Sequence, residues 1–268
     1  VKYLIKARAP IFILLVILFT ARSIRADGPS QQEWLGTSTG LALAAGLEVL
    51  GKDRLVPDLP RWSTPNDLDA RLREALWWGS RQDQARRLSD VLIYGVSMSS
   101  LIWAPLLSQE QEKSLYINAN VFLVNSLLTN LIKVTTARER PYRHFGSRAS
   151  EGPRDNTSFI SGHSSVAFSQ AVANAMLLSK DHPDLEPLIF GSLLGLAGLT
   201  GYLRVAGDMH YASDVTAGAI LGSAVGWAVT KYLTEKYEAS ESDAGDSILV
   251  RERSGIPKIL FSIRIPLG

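Results

Sequence analysis

The sequence predicts an all-α protein, a helical bundle closed by a short C-terminal β-hairpin. Long apolar segments recur at helical length, proline-rich or charged breaks separate them, and one stretch carries the 3.6-residue amphipathic period. At 268 residues one domain is the default, and 46% hydrophobic residues suffice to bury a core. A formal charge of +2 without a long Lys/Arg run gives no reason to expect a nucleic-acid partner. The chain has no cysteine, which excludes a disulfide framework, a thiolate zinc site and a cysteine nucleophile.

Taken in order, residues 1–26 read as a secretory signal: Lys2, Lys6 and Arg8 precede an apolar run over 10–21, and small Ala26 follows. The run is shorter than the roughly 20 residues that span a bilayer. An exported, periplasmic protein is therefore expected, with an integral inner-membrane protein as the alternative. Residues 27–65 mix polar residues, glycines and prolines and read as a loose lead-in with one short helix in the apolar stretch 40–50. The bundle is expected over 66–236. It opens on an amphipathic helix with Leu68, Leu72, Ala75 and Leu76 on one face and Asp69, Arg71, Arg73 and Glu74 on the other.

Apolar segments follow over 90–107, 114–137, 164–178, 187–204 and 211–233. Asn118, Asn120, Asn125 and Asn130 interrupt the second of these. With a mean hydropathy of +0.06 and 20% charged residues, they favour a soluble bundle or one associated with a membrane surface over a spanning one. Residues 237–268 read as a polar linker and tail: an acidic stretch over 238–247, then strands over 248–251 and 258–265 flanking the turn signal Ser254-Gly255.

Three clusters place cations or histidines at the ends of apolar segments. In the first, Lys133 is followed seven residues on by Arg140, and Pro141 is expected to stop the helix. Alone, such cations read equally well as C-terminal caps. In the second, Ser161, Gly162 and His163 precede an apolar run. A helix starting there offers free N–H groups to an anion, a hydroxyl from Ser161, close approach at Gly162 and a proton from His163; the same residues also make an ordinary N-cap.

The third cluster is Arg204, His210 and Asp214. His210 and Asp214 are four apart and share a face if helical, so that the carboxylate orients the imidazole; a metal pair or a solvated ion pair are the competing readings. The loop between the first two clusters carries Arg138, Arg143, Arg148 and Arg154, and reads as a solvated basic loop.

In this order and spacing, over about residues 66–235, the clusters resemble the type 2 phosphatidic acid phosphatase superfamily, which includes bacterial acid phosphatases and vanadium-dependent haloperoxidases. Lys-six residues-Arg-Pro matches Lys133, Arg140 and Pro141; Ser-Gly-His matches Ser161, Gly162 and His163; Arg-five residues-His-three residues-Asp matches Arg204, His210 and Asp214. The family's usual proline before Ser-Gly-His is Ile160 here, and its usual serine before the last arginine is Leu203.

The resemblance implies a helical bundle hydrolysing a phosphate monoester or diphosphate without metal or cofactor. It assigns attack on phosphorus to His210, orientation of His210 to Asp214 and proton transfer to His163. Lys133, Arg140, Ser161, Gly162 and Arg204 hold the phosphoryl oxygens. The implied partner is a phosphorylated lipid or a small phosphate. A haloperoxidase holding vanadate in the same cage and a non-catalytic phosphate- or lipid-binding protein are the rival functions.

Overall fold

A computed structural model describes residues 28–48 and 52–253. Among them the regular structure is helical, and extended pairing is limited to an isolated bridge between Trp62 and Arg138. The expected signal segment lies outside the described residues. Of the expected hairpin, the first strand is drawn as the end of the last helix and the second lies outside the described residues.

The chain enters through α1 (Gln31–Gly46), longer and earlier than the short helix expected over 40–50. Ser30 and Glu33 form a reciprocal capping box at its start. The helix is not loose: Trp34 packs edge-on against Tyr116, and Leu41 buries against Ala119.

Helix α2 (Asp67–Leu76) forms where the amphipathic period predicts, capped by Asn66, but it faces the other way. Asp69 and Arg73 are its buried residues, while Leu68 is 65% exposed. Two charges of the polar face turn inward, and each meets a buried opposite charge, Arg138 for Asp69 and Asp208 for Arg73, without which its burial would be strongly unfavourable; Arg71 and Glu74 stay exposed.

Helix α3 (Gln82–Met98) continues through a wide π-turn at Ser99–Trp103 to Leu107. After it come α4 (Gln111–Thr136), α5 (Gly162–Asp181), α6 (Glu186–Ala206) and α7 (Ala212–Arg253). All five match the apolar segments read from the sequence. Helix α7 runs straight through the acidic stretch expected to be a linker. Helix α5 is central and packs against α3, α4, α6 and α7.

The closest contact is between α5 and α7. A Cβ added at Gly218, Gly222 or Gly226 would lie 2.7, 2.2 or 2.4 Å from the carbonyl oxygens of Ser161, Ser165 and Ser169 in turn. Glycine every fourth residue lets the two backbones meet, as small residues do in membrane bundles. Gly222→Ala is expected to force them apart and to destabilise the fold by about 1–3 kcal/mol. A thermal-unfolding series checks this, with Gly191→Ala as the control: a Cβ there meets nothing within 4 Å, so the change should leave stability unharmed or raise it by up to about 1 kcal/mol.

Four helices among the described residues are long and apolar enough to cross a membrane: Gly79–Leu107, Gln111–Thr136, Pro183–Ala206 and Ala212–Ser240. This supports the integral-membrane alternative over the soluble bundle. The residues that diluted the hydropathy face inward: Asn118, Asn125 and Asn130 are buried, while Leu131, Leu188 and Ile220 on the flanks are each more than 60% exposed. A whole-chain average of hydropathy is blind to that sidedness.

Candidate active site

The C-terminal ends of α4 and α6 and the N-terminal ends of α5 and α7 carry the three clusters to one end of the bundle. Lys133 sits in the last turn of α4, which ends at Thr136 on Ala137 in the left-handed conformation (φ 42°). Pro141 therefore does not stop that helix. It begins the next helical turn, Pro141–His144, with Arg140 extended ahead of it as its cap.

The connecting segment 155–160 joins the clusters. Lys133 Nζ donates to the Thr157 carbonyl at 2.6 Å, and Arg140 Nη2 donates to Thr157 Oγ1 at 3.0 Å. Ser161 caps α5, its Oγ accepting from Ser164 N at 3.3 Å, and its own N–H donates to the Asp214 carbonyl at 3.0 Å. Gly162 lies against Lys133, since a Cβ there would meet Lys133 Cε at 3.6 Å. The departures from the family pattern are both apolar and buried, Ile160 at 2% and Leu203 at 4% exposure, and displace no charged group.

His163 and Arg204 share a partner that sequence reasoning missed. Asp90 Oδ1, on α3, lies 2.9 Å from His163 Nε2 and 3.4 Å from Arg204 Nη1. Arg204 also donates to Ser89 Oγ at 3.0 Å. The available signal was an acid at the head of an apolar segment. Arg140 Nε and Arg204 Nε are both buried without a hydrogen-bond partner. Leaving a charged donor unpaired costs more than the roughly 1–3 kcal/mol of a neutral one, so such N–H groups belong where an anion binds.

His210 is not on the helix with Asp214. It lies in the loop before α7, and Asp214 lies in the first turn of that helix. His210 Nδ1 is 2.8 Å from the Ser158 carbonyl and 3.8 Å from Asp214 Oδ2, so the carbonyl, not the carboxylate, takes the ring's hydrogen bond. A carbonyl only accepts. Nδ1 therefore carries the ring proton, and in the neutral ring Nε2 keeps its lone pair. Burial, then the cations Arg140, Lys133 and Arg204, hold His210 well below the usual histidine range, so it is neutral. Asp214 acts one step away, receiving Ser158 Oγ at 2.5 Å and Tyr211 N at 2.9 Å.

Arg138, read from the sequence as part of a solvated loop, is buried between two carboxylates. It donates to Asp214 Oδ1 at 2.5 Å and to Asp69 Oδ2 at 2.7 Å, and its guanidinium lies over the rings of Trp62 and Tyr211. Arg143 and Arg148 remain on the surface side, each near an acid, Asp155 and Glu151. No group of three or more histidines and carboxylates that could hold a metal ion occurs among the described residues.

Fold and site define a class: an all-α bundle whose end presents lysine, two arginines and a helix N-terminus around a buried neutral histidine. The family comparison agrees. Residues 115–238 match the family model described as PAP2 superfamily, which bears out over that stretch the resemblance read from the three clusters and includes all eight residues predicted for the site. A crystal structure described as the first transmembrane PAP2 type phosphatidylglycerolphosphate phosphatase from Bacillus subtilis aligns with 76% of this chain and 95% of its own, at 20% identity and a TM-score of 0.49. No curated protein matches.

Proposed function

We propose that the protein is a phosphoric ester hydrolase of the PAP2 type, acting on a phosphorylated lipid, monoester or diphosphate, through a phosphohistidine on His210. The observation that carries this reading is the meeting of the three clusters at one end of the bundle, with Arg140 Nε and Arg204 Nε buried and unpaired beside a neutral imidazole. The PAP2 match supports the same class.

In the reaction, His210 Nε2 attacks phosphorus in line, forming the N–P bond as the P–O bond to the leaving group breaks. Lys133, Arg140, Arg204, the Ser161 hydroxyl and the Gly162 N–H hold the equatorial oxygens, where preset donors stabilise the transition-state charge. His163 gives its proton to the departing oxygen. It then takes one from water, which attacks the phosphohistidine and releases inorganic phosphate. Asp90 pairs with His163 Nε2 and favours its protonated form, against the burial and the Arg204 charge that hold it below the usual histidine range.

A lipid substrate and a membrane position fit the apolar flanks of the bundle, which leave the cage at the end of helices able to cross a bilayer. A head group at the membrane surface meets the cage without leaving its tail's solvent.

The neutral state of His210 is testable by pH. A histidine whose folded pKa is depressed stays neutral as pH falls through the ordinary value. With 4-nitrophenyl phosphate, whose leaving group needs no proton, the rapid-mixing burst rate is expected to fall less than about twofold between pH 7 and 5.5. An imidazole with the ordinary pKa of about 6.5 would lose roughly eightfold over the same interval, and a loss of that size contradicts the assignment.

A further inference from the structure

Helix α2 lies outside the stretch matched by the family model, and none of its residues belongs to the three clusters. Yet its two buried charges, one turn apart, reach the two sides of the loop 207–211 that carries His210. Arg73 grips the loop's start: its Nε and Nη2 donate to Asp208 Oδ1 and Oδ2 at 2.6 and 2.8 Å, a bidentate pair joined by Ser147 Oγ at 2.5 Å. Asp208 has φ 58°, a conformation that costs energy in any residue but glycine, so the grip holds the backbone where it would not rest alone.

Asp69 grips the far side. It accepts from Ser213 N at 2.9 Å and Ser213 Oγ at 2.6 Å, and pairs with Arg138, which in turn holds Asp214. The carboxylate thus caps the N-terminus of α7 from another helix. His210 sits between the two anchors, and its ring is aimed by Ser158, which Asp214 also holds.

We infer that Asp69 and Arg73 are positioning residues for the nucleophile, and that α2 acts as a brace setting His210 Nε2 at attacking distance. The inference rests on the phosphatase reading. A brace of this kind works on the step in which geometry matters most, and a misplacement of about 1 Å at a reacting atom costs on the order of 100-fold in rate. The anion cage stands on α4, α5, α6 and Arg140 ahead of the turn Pro141–His144, none of which is hydrogen-bonded to the Asp69 or Arg73 side chain, so substrate affinity should be little changed when the brace is weakened.

The test compares the full-length parent protein with Asp69→Asn, Asp69→Glu and Ser213→Ala, measuring kcat, KM and phosphoenzyme formation by rapid quench with 4-nitrophenyl phosphate. Asp69→Asn is expected to slow phosphoenzyme formation about 10- to 100-fold with KM within about threefold, and Asp69→Glu to recover part of the loss. Ser213→Ala weakens the anchor by removing the hydroxyl that links Asp69 and Arg138, while the Ser213 N–H to Asp69 and both Arg138 ion pairs stay in place; it is expected to lose about three- to tenfold in kcat, and decides alone if Asp69→Asn does not fold. Folded variants with kcat within twofold of the parent, or losses that match only the folded fraction seen by thermal unfolding, overturn the brace. A parent without phosphate release on any ester overturns the phosphatase reading and the brace with it. An active parent beside unimpaired variants overturns the brace alone.

Discussion

His210→Ala is expected to form no covalent phosphoenzyme and to lose turnover by at least on the order of 10⁴-fold, because the attacking nitrogen is gone while the cage remains. His163→Ala should behave differently, and its loss should depend on the leaving group. An alkyl phosphate needs its departing oxygen protonated, so the loss should be of the order of 10²–10⁴-fold, the usual worth of a positioned acid. A nitrophenolate departs unaided, so the rate of phosphoenzyme formation on that ester should fall by no more than about tenfold, and phosphoenzyme should accumulate because water activation is impaired too. Rapid-quench rates of phosphoenzyme formation from the two esters, measured side by side, check the pattern. Equal losses on both would remove His163 from proton transfer.

The second large effect concerns a residue that takes no part in the chemistry. Arg138→Leu is expected to cost about 3–5 kcal/mol of stability, the usual result of removing one member of a buried ion-pair group. Its guanidinium is 1% exposed and lies between the carboxylates of Asp69 and Asp214, 2% and 0% exposed, which would otherwise face each other with no cation between them. Arg143→Leu, whose side chain is 52% exposed, is the matched control and should change stability by less than about 0.5 kcal/mol. Denaturant titration of the two variants in the same detergent distinguishes a buried anchor from a solvated loop charge. A similar small change for both would return Arg138 to the solvated loop.

Arg138 also shows where sequence reasoning stops. Its partners lie 69 and 76 positions away along the chain, and nothing local marks it off from Arg143 or Arg148. The same distance hid Asp90, 73 positions from His163. The residues at the ends of apolar segments were legible because a lysine, an arginine or a histidine there at fixed spacing is costly without a use. The five long helices were legible from the length of their apolar runs.

Other features were misread for reasons of environment. The face of α2 follows from opposite charges waiting inside the bundle and an apolar medium favoured outside it, neither of which periodicity reports. His210 donates its ring hydrogen bond to the backbone carbonyl of Ser158, a group every residue carries and no sequence singles out. The start of α1 was there to be read: Ser30 and Glu33 stand three apart, the capping-box spacing.

The central claim is that phosphorus becomes bonded to His210. The direct measurement is to mix the protein with a ³²P-labelled ester, quench within milliseconds in alkali, digest, and locate the label by peptide mapping. The account predicts an alkali-stable, acid-labile phosphate on the peptide containing His210, absent from His210→Ala and increased in His163→Ala. Label on any other residue, or full turnover with no label on His210 at any quench time, would contradict it.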